Sequence, residues 1–172
     1  EYLISNLSAK SGKPYNQELL SKDLAVLRSL YNEKGYVYAK IKPLFQSDTL
    51  TYYINEGKQA KVGKLYFFGN ERTVDSVISR ELRNFGIDTG EVLNLVKLNQ
   101  CQQRLYSLGL FQTVIFDLPE RSEGKEVLDI NVKVTERNPG TVNVSGGYSP
   151  SEGIRGTFEI AYNNLSGRAM RI

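Results

Sequence analysis

Histidine is absent from the 172-residue chain, which excludes Ser-His-Asp and Cys-His catalysis and any histidine-ligated metal. Only carboxylate chemistry stays open, and no pair of acids stands out by its spacing. Cysteine occurs once, at Cys101, so no disulfide can form within one chain. Its neighbours Asn99, Gln100, Gln102 and Gln103 supply neither base nor cation to lower a thiol pKa, which points to a packed helix cysteine. Long apolar runs are missing, so no transmembrane helix is expected. The start Glu1-Tyr2-Leu3-Ile4 lacks the basic segment and cleavage site of a signal peptide. A clustered cationic footprint is missing as well: 22 Lys and Arg stand against 19 Asp and Glu, a net charge of +3, which speaks against a nucleic-acid partner. Glu120, Glu123 and Glu126 share their loop with Arg121, Gly124 and Lys125 and read as a solvated loop, not a metal site. No cofactor and no enzymatic activity are expected.

What is present suffices for ordinary cores: 40% apolar residues, 10% aromatic. The organising stretch is Val62 to Asn70, a strand from Val62 to Phe68 closed by a Gly69-Asn70 turn. Gly69 is there for a positive φ and not to cradle a phosphate, since no Walker or Gly-x-Gly-x-x-Gly pattern accompanies it. Thr73 reads as the N-cap of a helix with Val74, Val77, Ile78 and Leu82 on one face up to Asn84. A loop through Gly90 leads to a second helix, Leu93 to Leu108, with Leu95, Leu98, Cys101, Leu105 and Leu108 as its stripe. An edge-like strand follows, Phe111 to Leu118, ended by Pro119, and then an alternating strand, Val127 to Glu136.

The preceding residues repeat this order in part. Glu1 to Leu7 reads as the tail of a helix, and Ser11 to Pro14 as a loop. Asn16 to Glu33 carries Leu19, Leu20, Leu24, Leu27, Leu30 and Tyr31 at helical spacing, with Asn16 as cap and Lys34-Gly35 as stop. Tyr36 to Lys42 alternates and is closed by Pro43; Leu44 to Asp48 is a bend, and Leu50 to Gly57 the next strand. Ser11-Gly12 matches Thr89-Gly90, Tyr31-x4-Tyr36-x2-Ala39 matches Tyr106-x4-Phe111-x2-Val114, and Leu50, Tyr52, Ile54 and Glu56 match Ile130, Val132, Val134 and Glu136. The fold class is α+β with modules in tandem. The boundaries fall at 1–58 for a module lacking its first strand, 59–138 for a complete one, and 139–172 for a hairpin. In that hairpin Val142, Val144, Gly146 and Tyr148 alternate, as do Phe158, Ile160 and Tyr162, so one side is suited to lipid.

The strand, Gly69-Asn70, helix, Gly90, helix and Gly109-Leu110-Phe111 order resembles a POTRA (polypeptide transport-associated) domain. So does the Tyr31 to Ala39 corner, Tyr-x3-Gly-Tyr-x2-Ala. Gly146-Gly147-Tyr148 through Phe158 to Asn164-Leu165-Ser166-Gly167-Arg168-Ala169 resembles the first barrel strands of the BamA/TamA-type surface antigen family, with Ala169 where glycine is common. The resemblance implies two helices on one face of a three-stranded mixed sheet whose last strand is central. It further implies a bacterial outer-membrane location with POTRA modules in the periplasm, where they receive unfolded outer-membrane proteins and accessory assembly proteins; outer-membrane lipid would touch the barrel.

Extended clients would add to sheet edges through main-chain bonds. The edge candidates are Tyr36, Val37, Tyr38, Ala39 and Ile41, and Phe111, Thr113, Val114, Ile115 and Phe116. The membrane-facing candidates are Val142, Val144, Tyr148, Phe158, Ile160 and Tyr162. A two-partner-secretion translocator and a POTRA scaffold module that binds a protein partner are the alternatives. One hairpin cannot close a barrel, so the chain is expected to be a cut piece. The open side of Leu50–Ile54 would then accept a strand such as Thr141–Tyr148 of a neighbouring copy, giving strand-swapped self-association.

Overall fold

The computed structural model describes residues 3, 6–10, 12, 16–47, 49–118, 125–151 and 153–171. The acidic loop up to Gly124, Pro119, Ser11 and most of the proposed helix tail at 1–7 lie outside them. Asn16 caps the helix α1 (Gln17–Glu33), its side-chain oxygen accepting from the amides of Glu18 and Leu19 at 2.5 and 3.1 Å. Gly35, at φ +82°, turns the chain away at the other end. Leu27 and Tyr31 are buried, and Leu24, Leu3, Leu7, Tyr52 and Ile54 pack with them as a first core.

Asp23 lies fully buried on the same helix, and its carboxylate accepts from the amides of Ser8 and Ala9 at 2.6 and 2.9 Å. The Tyr52 hydroxyl donates to it at 3.4 Å. Asp23→Ala is expected to destabilise this module by about 1–3 kcal/mol, because two amides lose their acceptor. A lowered urea midpoint would show it.

Strands β1 (Lys40–Gln46) and β2 (Thr49–Asn55) pair antiparallel, Ile41 opposite Ile54 and Pro43 opposite Tyr52. This corrects the expected strand Tyr36–Lys42. Tyr36 to Ala39 form a turn, the Tyr36 amide donating to the Tyr31 carbonyl at 2.9 Å and the Ala39 amide to Tyr36 at 3.1 Å. The register gives the reason. β2 ends at Asn55 opposite Lys40, so the strand ladder stops before residues 36–39. Val37 and Tyr38 pack on the second module's core instead. The strand also runs through Pro43, as an edge permits, and Leu44 to Gln46 belong to it, not to a bend.

The second module contains β3 (Lys61–Phe68), α2 (Asp75–Asn84), α3 (Leu95–Ser107), β4 (Phe111–Asp117) and β5 (Val127–Glu136). Its sheet order is β3-β5-β4, with β5 parallel to β3 and antiparallel to β4. This is the mixed sheet with a central last strand that was expected. Val62, Ile78, Leu82, Leu105, Phe111, Ile130 and Val132 form the centre of its core.

The second module departs from simple alternation at two bulges. Phe111 pairs with Glu136 but Thr113 with Thr135, so Gln112 is an extra residue, and both Phe111 and Val114 turn into the core while Ile115 is exposed. On β3 the register slips between Val62 and Leu65. The helix cap also differs. Val74 occupies the N-cap position of α2 with no side-chain bond, and Thr73 is buried and bonded elsewhere.

The modules abut. The Ala60 amide donates to the Gly35 carbonyl at 2.8 Å and the Gln59 side chain to the Lys34 carbonyl at 2.9 Å. Lys58 and Glu126 pair at 2.9 Å, and that lysine holds the Glu126 carboxyl below its ordinary pKa.

Residues beyond Pro139 form three strands where two were expected: β6 (Gly140–Ser149), β7 (Gly153–Leu165) and the short β8 (Met170–Arg171). Among the described residues no helix is long and apolar enough to cross a membrane, which says nothing about strands.

Candidate functional site

Both predicted edges can be judged by what covers their main chain. β4 has β5 on one side, and on the other α3 lies against Val114. The Tyr106 hydroxyl accepts from the Val114 amide at 3.1 Å and lies 3.3 Å from its carbonyl, to which the Gln102 side chain donates at 2.6 Å. The middle of that edge is therefore already bonded. Phe111 and Val114 are buried, Phe116 is half-buried, and Thr113 and Ile115 face solvent. The Thr113 and Thr135 hydroxyls are 2.7 Å apart, and Lys133 pairs with Asp117 at 2.7 Å across the same strand pair.

The matching positions of the first module behave differently. Tyr31, the counterpart of Tyr106, donates its hydroxyl to Glu56 at 2.9 Å, and burial followed by that carboxylate raises its pKa. The counterpart of Gln102 is Leu27, which offers no donor. Beside β1 lies a cleft of about 460 Å³ lined by Arg28, Asn32, Val37, Ala39, Lys40, Ile41 and Lys42. Of the residues named for this edge, Ile41 sits in β1, while Tyr36, Val37, Tyr38 and Ala39 form the turn leading into it.

The hairpin sorts its side chains by face. Val142 lies opposite Ile160, Val144 opposite Phe158, Gly146 opposite Gly156 and Tyr148 opposite Ile154, and directly opposed residues project to the same side. All six membrane-facing candidates therefore share one face, from 42% exposed at Tyr162 to 75% at Tyr148. Ile154, 87% exposed, joins them; its place in the alternation with Phe158 and Ile160 was available in the sequence and was missed. The opposite face carries Thr141, Asn143, Ser145, Arg155, Thr157 and Glu159.

The constellation that sequence reasoning missed is where this hairpin meets the second module. Glu136, at the end of β5, accepts from the amides of Arg72 and Thr73 at 3.0 and 2.7 Å. The Val74 amide donates to the Gly167 carbonyl at 3.1 Å, and the Asn164 side chain to the Thr73 hydroxyl at 2.8 Å. The Asn164 oxygen accepts from the Ala169 amide at 3.0 Å. Asn164, Ser166, Gly167 and Ala169 all have positive φ.

Chemistry is sparse. Among the described residues no cluster of three metal-ligating side chains occurs. Glu81 is buried between Arg80 of its own helix at 3.5 Å and Arg104 at 3.2 Å, and the Arg104 pair ties α2 to α3. Cys101 is fully buried, and its thiol is pushed up to about 12, by burial first and by Glu81 second. The folded state thus holds a proton that the unfolded chain releases from about pH 9 upward. This contribution to stability is whole below that pH and fades as pH rises toward 12. Cys101 should resist iodoacetamide in the native chain and react once urea unfolds it, which mass spectrometry would read directly.

Residues 1–57 and 60–137 each match the POTRA family, described as surface antigen variable number repeat. Outer membrane protein assembly factor BamA of Neorickettsia risticii is 30% identical over the whole chain, which spans 24% of that protein. BamA of Neisseria meningitidis serogroup B is 28% identical over 94% of the chain, which spans 21% of it. The chain thus spans about a quarter of the length of the curated relatives it matches. The crystal structure of Haemophilus ducreyi BamA lacking POTRA domains 1–3 superposes on 99% of the chain with a TM-score of 0.83 at 26% identity, the chain covering 33% of that structure. Two POTRA matches that together take in most of its residues, on a fold that agrees with them, show that the chain belongs to the POTRA family of surface antigen variable number repeats.

Proposed function

We propose that these modules are the periplasmic part, and the hairpin the first wall strands, of an outer-membrane assembly factor that folds and inserts β-barrel proteins. The observation that carries this reading is the hairpin itself: one face apolar, the other polar, following the POTRA sheet directly through residues 137–139. In a bilayer the apolar face meets lipid, and the ladder satisfies the backbone groups that hydrocarbon cannot. The likeness to the BamA relatives supports the same assignment. The role is non-enzymatic.

Unfolded outer-membrane proteins dock by strand addition, and accessory assembly proteins share the periplasmic surface. β1 is the favoured edge, because the corresponding main-chain groups on β4 are held by Tyr106 and Gln102. Hydrogen exchange with and without an extended outer-membrane-protein peptide tests this. Slowed exchange at residues 40–46 is expected; no slowing at 40–46 or 111–117 would remove strand addition from the mechanism. In a Gln102→Ala, Tyr106→Phe double variant, protection is expected to spread to residues 111–117, since the Val114 main chain is released.

A further inference from the structure

We infer that the turn Asn164–Ala169 is a positioning latch, which fixes the angle between the second module and the hairpin. Two independent contacts make it. The Asn164 side chain donates to the hydroxyl of Thr73, 91 positions away, and the Gly167 carbonyl accepts from the Val74 amide.

Both contacts demand this particular backbone. Gly167 has φ +70°, and a β-carbon there would lie 2.2 Å from the Arg72 carbonyl oxygen, so only glycine lets the turn approach this closely. Asn164 adopts φ +77° without a glycine's freedom, a conformation asparagine tolerates better than most residues. The receiving side is equally fixed. Glu136 binds the amides of Arg72 and Thr73, so the segment that meets the turn is clamped to the end of the central strand. Thr73 is 2% exposed, and its hydroxyl serves this bond and no helix cap.

The Asn-Leu-x-Gly-x-Ala pattern is thereby explained as docking chemistry. It holds whichever protein the modules bind, because the latch concerns the angle between two parts of one chain.

The test uses the full-length protein in lipid nanodiscs, spin-labelled at Gln103→Cys on α3 and Thr157→Cys on β7; buried Cys101 stays unlabelled. The unaltered latch should give one narrow distance distribution. Thr73→Val, which keeps the volume and removes the hydroxyl, and Gly167→Ala should each broaden it about twofold, as a docked pair becomes an ensemble. Thr73→Ser should restore the narrow distribution. Amide exchange at Val132 and Val134 should stay slow throughout, showing that the module remains folded. Should Gly167→Ala unfold the hairpin, Thr73→Val decides. An unchanged width in Thr73→Val would overturn the proposal, as would broadening that Thr73→Ser fails to reverse.

Discussion

Gly69→Ala is expected to cost the second module about 3–5 kcal/mol, the largest effect expected of a methyl group added at any described glycine. Gly69 stands at φ +83°, where an L side chain costs about 1–2 kcal/mol by itself. The added carbon would also lie 2.0 Å from the Val134 carbonyl oxygen, a backbone atom of the central strand that cannot swing aside. Either β3 separates from β5 or the turn into α2 is rebuilt, and both expose Ile78 and Val132. Thermal unfolding should show a midpoint lower by at least about 10 °C, given roughly 4–8 °C per kcal/mol for domains of this size. Asn70→Ala, which loses side-chain bonds to the Thr73 carbonyl and Asp75 without a clash, should fall well short of that. Equal midpoints for the two variants would refute the steric argument.

Val144→Arg is expected to be the second large effect, and it should depend on face. Val144 lies mid-strand on the apolar side of the hairpin, 74% exposed and opposite Phe158. An arginine near the bilayer midplane costs a transmembrane strand about 2–4 kcal/mol. Its neighbour Ser145 points to the polar side, so Ser145→Arg should be nearly neutral. Insertion into liposomes, followed by the change in electrophoretic mobility between folded and unfolded forms, separates the two. Equal behaviour of the two variants would mean that this face never meets lipid.

The parts of the fold carried by local periodicity were legible. Val62–Phe68 was legible as a strand, and the stripe Leu98, Cys101 and Leu105 and the alternation of Leu128, Ile130, Val132 and Val134 bury the residues their spacing assigns. The apolar hairpin face was readable for the same reason, because a period of two needs no knowledge of the partner strand. What escaped was set by partners distant in sequence. Tyr36–Ala39 has the letters of a strand and lacks an opposite one, so it turns. The extra residue at Gln112 reverses which of Thr113 and Val114 is buried, and no feature of Phe111–Phe116 announces it. Tyr31 and Tyr106 hold matching places in the repeat, yet one bonds a carboxylate and the other a strand edge, depending on whether Leu27 or Gln102 stands a turn earlier. Thr73 looked like a cap because Ser, Thr, Asn and Asp before a helix usually are; its hydroxyl was claimed by Asn164.

The short link between β5 and β6 has a mechanical meaning. The Arg137 amide and guanidinium donate to the carbonyls of Leu110 and Phe111 at 2.8 and 3.2 Å, and the Pro139 carbonyl accepts from the Asn163 amide at 2.8 Å. One end of the link is thus fastened to the module and the other to the hairpin. A body tethered at a single point keeps every rotation; a second tether leaves it only the axis through both. Here the second tether is no single point, since residues 164 and 167 each hold their own bond, so turning about that axis is resisted too and a sideways load on the module passes to the first strands.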